Sequence, residues 1–138
     1  MTSTLPDWAQ EHMRKYLATD GADGHIWRGV PTLLLTTVGS KSGLQRMLPL
    51  IYGEDGGDCI IVASKGGFPE HPAWYNNLVA QPKVQVQVAA DKFTATAGTV
   101  DGADRQKIWD LMSGIWSPYL DYQEKTDRLI PLVRLHRD

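Results

Sequence analysis

Three consecutive segments decide the fold: Pro31-Thr32-Leu33-Leu34-Leu35-Thr36-Thr37-Val38, then Gly39-Ser40-Lys41-Ser42-Gly43, then Leu44-Gln45-Arg46-Met47-Leu48-Pro49-Leu50-Ile51-Tyr52. The first is rich in Leu and Thr and reads as a strand over 32–38. The second is a turn bounded by glycines. The third resumes as a strand over 44–52. Pro49 inside it predicts a sheet edge or a bulge, because proline has no N–H to give to a ladder.

Working outward, 53–58 reads as a turn and the apolar run Cys59-Ile60-Ile61-Val62-Ala63-Ser64 as a third strand, with Cys59 a buried strand residue. Gly66-Gly67 breaks it. His71-Pro72-Ala73-Trp74-Tyr75-Asn76-Asn77-Leu78 has Pro72 placed for a helix start, and Pro82 stops that short helix. Val84, Val86 and Val88 alternate with Lys83, Gln85 and Gln87, the pattern of a half-buried strand, and 92–100 reads as its antiparallel partner across Ala90-Asp91. Asp101 is the expected cap of a helix running to Ile115, followed by an aromatic loop over 116–122 and a last strand over 129–135, where Pro131 again suggests an edge.

Upstream, Leu5, Trp8, Ala9, Met13, Tyr16 and Leu17 recur at spacings of three and four, which predicts an amphipathic helix over 4–19. Thr4 and Asp7 have capping-box-like spacing, and Pro6 suits the first turn. Such a helix packs on a core; a lid or an interfacial anchor is the functional alternative. Six short strands with interspersed helices predict an α+β fold, a compact antiparallel barrel with helical covers. Residues 1–30 form a helix and lead-in, and 31–138 form the barrel domain.

Composition narrows the function. The chain has 138 residues, enough for one self-supporting domain. Its net charge is −2, which argues against a general nucleic-acid binder, so any anionic ligand must be held by a local cluster of cations. The single cysteine forms no internal disulfide, which suits a cytoplasmic location. No secretory signal or membrane-span-length apolar run is visible, leaving a peripheral membrane contact through the N-terminal helix as the alternative. GxGxxG, Walker A, HExxH and GxSxG patterns are absent, and the four histidines lack metal-ligand spacing.

Two constellations remain. Lys41, Arg46 and Lys65 stand beside glycines, where backbone N–H groups and charged side chains together bind phosphate or carboxylate, with Ser40, Ser42 and Ser64 as further donors. Trp74, Tyr75, Asn76 and Asn77, with Trp116, Tyr119 and Tyr122, offer aromatic walls and amides suited to a flat conjugated ring. The bland alternatives are solvated hairpin charges and core filling.

These residues together resemble the deazaflavin-dependent nitroreductases and quinone reductases of actinobacteria. The resemblance rests on 35–43 with Arg46 and Pro49, on Val62-Ala63-Ser64-Lys65-Gly66-Gly67, on 71–78, and on Tyr119-Leu120-Asp121-Tyr122-Gln123 with Thr126-Asp127-Arg128 and Ile130-Pro131. It implies a split β-barrel related to the flavin-binding barrels, and coenzyme F420, a deazaflavin with a phosphate and a polyglutamate tail, as hydride donor. It implies that the anionic arm lies on Lys41, Ser42, Arg46 and Lys65. The ring would lie along Met47, Leu48, Pro49, Leu50 and Ile51 and along Val62, Ala63 and Ser64, under Ala73, Trp74, Tyr75, Asn76 and Asn77. Tyr119 would face the ring and the acceptor as the catalytic residue. Quinones, nitroaromatics and activated alkenes such as enones are the implied acceptors. Ser40 stands where the family often has Arg, and Gln45 where it often has Pro, which makes the anion site one charge weaker or gives Ser40 the phosphate. An FMN-dependent reductase on the same barrel and a cofactor-binding protein without turnover are the rival expectations.

Overall fold

The computed structural model describes residues 5–138. Among the described residues there are four α-helices and one antiparallel sheet of eight strands. The order is α1 (Asp7–Ala18), β1 (Ile26–Trp27), β2 (Val30–Val38), β3 (Gln45–Ile51), β4 (Gly53–Asp55), β5 (Asp58–Val62), α2 (Ala73–Ala80), β6 (Lys83–Val88), β7 (Asp91–Thr99), α3 (Asp104–Ile115), α4 (Pro118–Glu124) and β8 (Leu132–Arg137). The six expected strands are present; β1 and β4 add two short ones.

The strands pair in the order β1-β2-β6-β7-β8-β5-β4, and β3 pairs with β2. Only Tyr52 separates β3 from β4. One bent strand therefore pairs with β2 at one end, where Thr32 opposes Ile51, and with β5 at the other, where Gly53 opposes Ile60. The ring of strands closes through the covalent chain at Tyr52, whose N–H still donates to the Pro31 carbonyl at 3.2 Å. This is the split barrel.

Side-chain alternation divides the interior into two cores. Leu33, Leu35, Ile61, Ala63, Val84, Val86, Val133 and Leu135 fill the barrel together with Trp74 and Leu78 of α2. Ile60, Val62 and Leu132 face the other way, against Ile108, Met112 and Tyr119 of α3 and α4. Because β5 is buried on both faces, it reads as a continuous apolar run rather than an alternating one.

Several expectations shift. Pro49 pairs with Leu34 in β3, which among the assigned ladders pairs only with β2, so the edge reading holds. Pro131 lies before β8, and β8 runs between β7 and β5 rather than at an edge. The Pro131 carbonyl accepts from the Ala63 N–H at 2.9 Å, a role that needs no donor from the proline. The 53–58 turn is shorter, because Gly53–Asp55 is strand. Asp101 does not cap α3; the helix starts at Asp104 with no side-chain cap bond. The aromatic loop is instead α4, opened by Pro118 in its first turn.

The face of α1 is centred on Ala9 and Tyr16, both buried, whereas Trp8 and Leu17 are exposed. Thr4 lies outside the described residues. Tyr16 is fully buried; its hydroxyl donates to the Thr32 carbonyl at 3.0 Å and accepts from the Ala89 N–H at 2.7 Å. Trp8 stacks on Trp27 at 5.4 Å, and Trp27 in turn meets Trp116 at 5.8 Å, which ties α1 to the end of α3.

Candidate cofactor cavity

The β2–β3 turn is built to hold its shape. Gly39 donates to the Leu44 carbonyl at 2.7 Å, and Gly43 donates to the Gly39 carbonyl at 2.9 Å. A Cβ on Gly39 would meet Ser42 Oγ at 2.5 Å, so a side chain here would displace the Ser42 hydroxyl. Helix α2 fixes the turn from the side. Asn77 Oδ1 accepts the Ser40 N–H at 3.0 Å, and Asn77 Nδ2 donates to Thr37 Oγ1 at 3.2 Å.

Between this turn, β3, the first turns of α2 and the inner face of α1 lies a cavity of about 820 Å³. That is within the size range of small-molecule sites. Ser40, Lys41, Ser42, Arg46, Met47, Leu48, Ala73, Trp74, Asn76 and Asn77 line it. The structure thus brings together ten of the residues singled out from the sequence. Gly39, Gln45, Leu5 and Met13 line it as well and were not among them. Met13 carried only the signal of a packing helix; its approach to β3 is tertiary, and no local pattern encodes it.

The electrostatics are one-sided. Lys41 is exposed and makes no ion pair among the described residues. Arg46, half-buried on β3, adds a second positive charge, and among the described residues no acidic side chain lines the cavity. Cationic groups, hydroxyls and amides beside an apolar wall are fitted to a long anionic ligand with a flat apolar end.

The other singled-out residues lie elsewhere. Lys65 does not join Lys41 and Arg46 on the cavity; its Nζ pairs with Glu70 Oε2 at 3.0 Å and stands over the Phe68 ring. Ala63 is in the barrel core, Leu50 packs against it, and Val62 faces the second core. Pro49 and Ile51 are half-buried on β3, and Ser64 follows β5. Tyr75 bonds Thr99 Oγ1 at 2.8 Å and packs on His71 at 4.8 Å.

The expectation of an accessible Tyr119 is corrected. It stands in α4, is 5% exposed, and lies in the second core with Ile108 and Met112. Burial pushes its phenol well above the ordinary tyrosine range, so it holds its proton firmly. Cys59 is likewise pushed up by burial, to about 11, and is no thiolate nucleophile.

Arg128 reaches into the loop between β5 and α2. Its Nη1 donates to the Ala63 carbonyl at 3.1 Å, its Nη2 to the Ser64 carbonyl at 2.7 Å, and its Nε to the Phe68 carbonyl at 2.9 Å. Nη1 also meets His71 Nδ1 at 3.2 Å. Arginine can only donate, so His71 Nδ1 is the acceptor and the ring is neutral. Burial, and then the Arg128 charge, lowers the His71 pKa below the usual histidine value. None of these sequence-distant contacts was legible beforehand.

Comparison with known proteins finds close relatives of this sequence. The sequence matches the family model described as F420H(2)-dependent quinone reductase over residues 8–137. An F420H(2)-dependent quinone reductase of Mycobacterium tuberculosis is 40% identical over 130 residues, covering 91% of this chain and 87% of that protein. The solved structure of an F420-H2 dependent reductase is 43% identical with a TM-score of 0.72, covering 81% of this chain and 98% of that one. Another solved structure, described as a domain-swapped dimer, is 41% identical with a TM-score of 0.74 over 94% of this chain and 98% of that one.

Proposed function

The chain belongs to the F420H(2)-dependent quinone reductase family, and on that premise we propose that it passes hydride from reduced coenzyme F420 to a quinone, holding the cofactor in the cavity between β3 and α2. Lys41 carries the reading. It is an exposed cation without an ion pair among the described residues, on a cavity whose lining holds Arg46 and no carboxylate. A site with that charge favours a ligand that brings negative charge of its own, as the phosphate and glutamate arm of F420 does.

When bound, the reduced deazaflavin supplies the hydride; the protein's part is placement. Lys41 and Arg46 hold the anionic arm. Ser40 and Ser42 offer hydroxyl donors beside them. Asn77 fixes the turn, so those donors need not reorganise when a ligand arrives. Ala73, Trp74, Met47 and Leu48 form an apolar wall that excludes water from the reacting end, and Met13 of α1 closes that wall from the outside. Tyr119 lies buried in the second core, which favours solvent as the proton source for the reduced acceptor. Nitroaromatics and enones are the further acceptors to be compared with quinones.

The test is direct. Purified protein is mixed with reduced F420 and a panel of a soluble quinone, a nitroaromatic and an enone, while the appearance of oxidised F420 is followed spectroscopically. Turnover with the quinone is expected, and reduced FMN in place of F420H2 is expected to be oxidised no faster than without the protein. Protein-dependent oxidation of reduced FMN but not of F420H2 would overturn the reading. Lys41→Ala should weaken F420 binding about tenfold, the worth of one ionic hydrogen bond; unchanged affinity would remove the cavity as the arm's seat.

A further inference from the structure

We propose that Arg128 is a positioning residue for cofactor binding: it clamps the loop between β5 and α2 and so sets the α2 wall of the cavity. The inference rests on the reading that this cavity takes the cofactor. Ala63 and Ser64 lie on the limb leaving β5, and Phe68 and His71 on the limb entering α2. Arg128 touches both limbs, through three backbone carbonyls and the His71 ring. Two residues beyond His71, Ala73 and Trp74 line the cavity. The entry to α2 is therefore held by one guanidinium contributed by the segment between α4 and β8, while Asn77 and the core hold the rest of the helix.

The loop needs such a clamp. Lys65, Gly66 and Gly67 have φ of 46°, 61° and 84°, a left-handed run. For a residue with a Cβ such as Lys65 this conformation is unfavourable, and it persists only where the surroundings over-determine it. One constraint is steric: a Cβ on Gly67 would lie 2.6 Å from the Tyr122 carbonyl oxygen, so the loop is seated directly on α4. The other is Arg128, which spends four of its five N–H groups on the loop. A guanidinium so committed is not an anion receptor; it acts through the loop.

This separates two roles that a simple charge count merges. If Arg128 served as one more positive charge near the arm, lysine would replace it. If it serves as a fork bridging two limbs, lysine cannot, because a single ammonium has neither the planar spread nor the reach in two directions. Arg128→Lys is therefore the decisive variant, with Arg128→Ala beside it. Titration with oxidised F420 should show affinity reduced about tenfold or more in Arg128→Lys. Amide hydrogen exchange should accelerate over 63–71 while the core strands β5 and β8 keep their protection. In Arg128→Ala, added guanidinium ion well below denaturing concentration should restore part of the affinity.

Affinity in Arg128→Lys within twofold of the parent would overturn the proposal. So would a loss of affinity accompanied by uniform loss of protection, which means general destabilisation rather than a local clamp. If Arg128→Ala fails to fold, Arg128→Lys alone decides. Lys41→Ala, measured in the same series, separates the premise from the inference. Unchanged binding there removes the cavity reading, whereas weakened binding there with an unaffected Arg128→Lys removes only the clamp.

Discussion

Asn77 shows how much a single side chain can carry. It is 8% exposed and uses both ends of its carboxamide, accepting from the Ser40 N–H and donating to Thr37 Oγ1. Leucine would fill the same space and satisfy neither partner. Asn77→Leu is expected to cost about 1–3 kcal/mol of stability, the penalty for stranding a buried polar group, and to weaken F420 binding by loosening the turn that bears Lys41. Asn77→Asp should behave differently. A carboxylate still accepts the Ser40 N–H, and the Thr37 hydroxyl can turn to donate to it. Most of the stability should survive, while a negative charge beside Lys41 and Arg46 opposes an anionic ligand. Denaturant unfolding and an F420 titration on both variants check this: undiminished binding in Asn77→Asp would mean that the charge of the cavity is irrelevant. The sequence singled out Asn76 and Asn77 as a pair, since adjacent amides on a short helix look alike. Only packing distinguishes the exposed Asn76 from the buried Asn77. Lys65, paired with Glu70, and Tyr119, buried in the second core, make the same point: residue type announces what a side chain can do, and the neighbours decide whether it is free to do it.

Among the elements, legibility followed length and periodicity. The alternation in β6 and the apolar run of β5 each repeat often enough to be read directly, and both strands were expected nearly where they lie. Helix α4 has seven residues, under two turns, too few for a 3.6-residue period to emerge against its aromatic content. Pro118 after Ser117 was the available signal for its start. Helix α1 was recognised, but its anchor was not. The Tyr16 hydroxyl is a hub between the helix, β2 and the β6–β7 turn, where Ala89 sits at φ 54°. Tyr16→Phe keeps the ring and deletes the hub, leaving the Ala89 N–H and the Thr32 carbonyl without this partner. A loss of about 1–3 kcal/mol is expected in urea unfolding, with the slope of the transition unchanged. A change below the precision of the measurement would mean that water replaces the hydroxyl and that α1 is held by its apolar face alone.

At the scale of the whole molecule, the order of strands around the barrel was beyond the sequence, because β2 reaches β6 and β5 reaches β8 across long stretches of chain. No local pattern specifies such partners; they follow from closing two cores at once. The charge balance, by contrast, was legible from the start and has a consequence for binding. With a net charge of −2 the protein as a whole gives no long-range attraction to an anionic cofactor, so the favourable electrostatics must come from cations in contact with the arm. Contacts of this kind weaken with salt, since the screening length falls from about 10 Å at 0.1 M to about 3 Å at 1 M. F420 affinity is therefore expected to fall steadily as ionic strength rises, and the fall should be shallower in Lys41→Ala, which has one fewer cation to screen. Thermal unfolding gives an independent readout. A ligand bound only by the folded state stabilises it by about 2.7 kcal/mol at one hundred times its dissociation constant, so the upward shift in Tm with F420 should shrink as salt is added. Parallel salt slopes for the parent and Lys41→Ala would show that this lysine lies outside the contact, and the cation that holds the arm would have to be sought at Arg46.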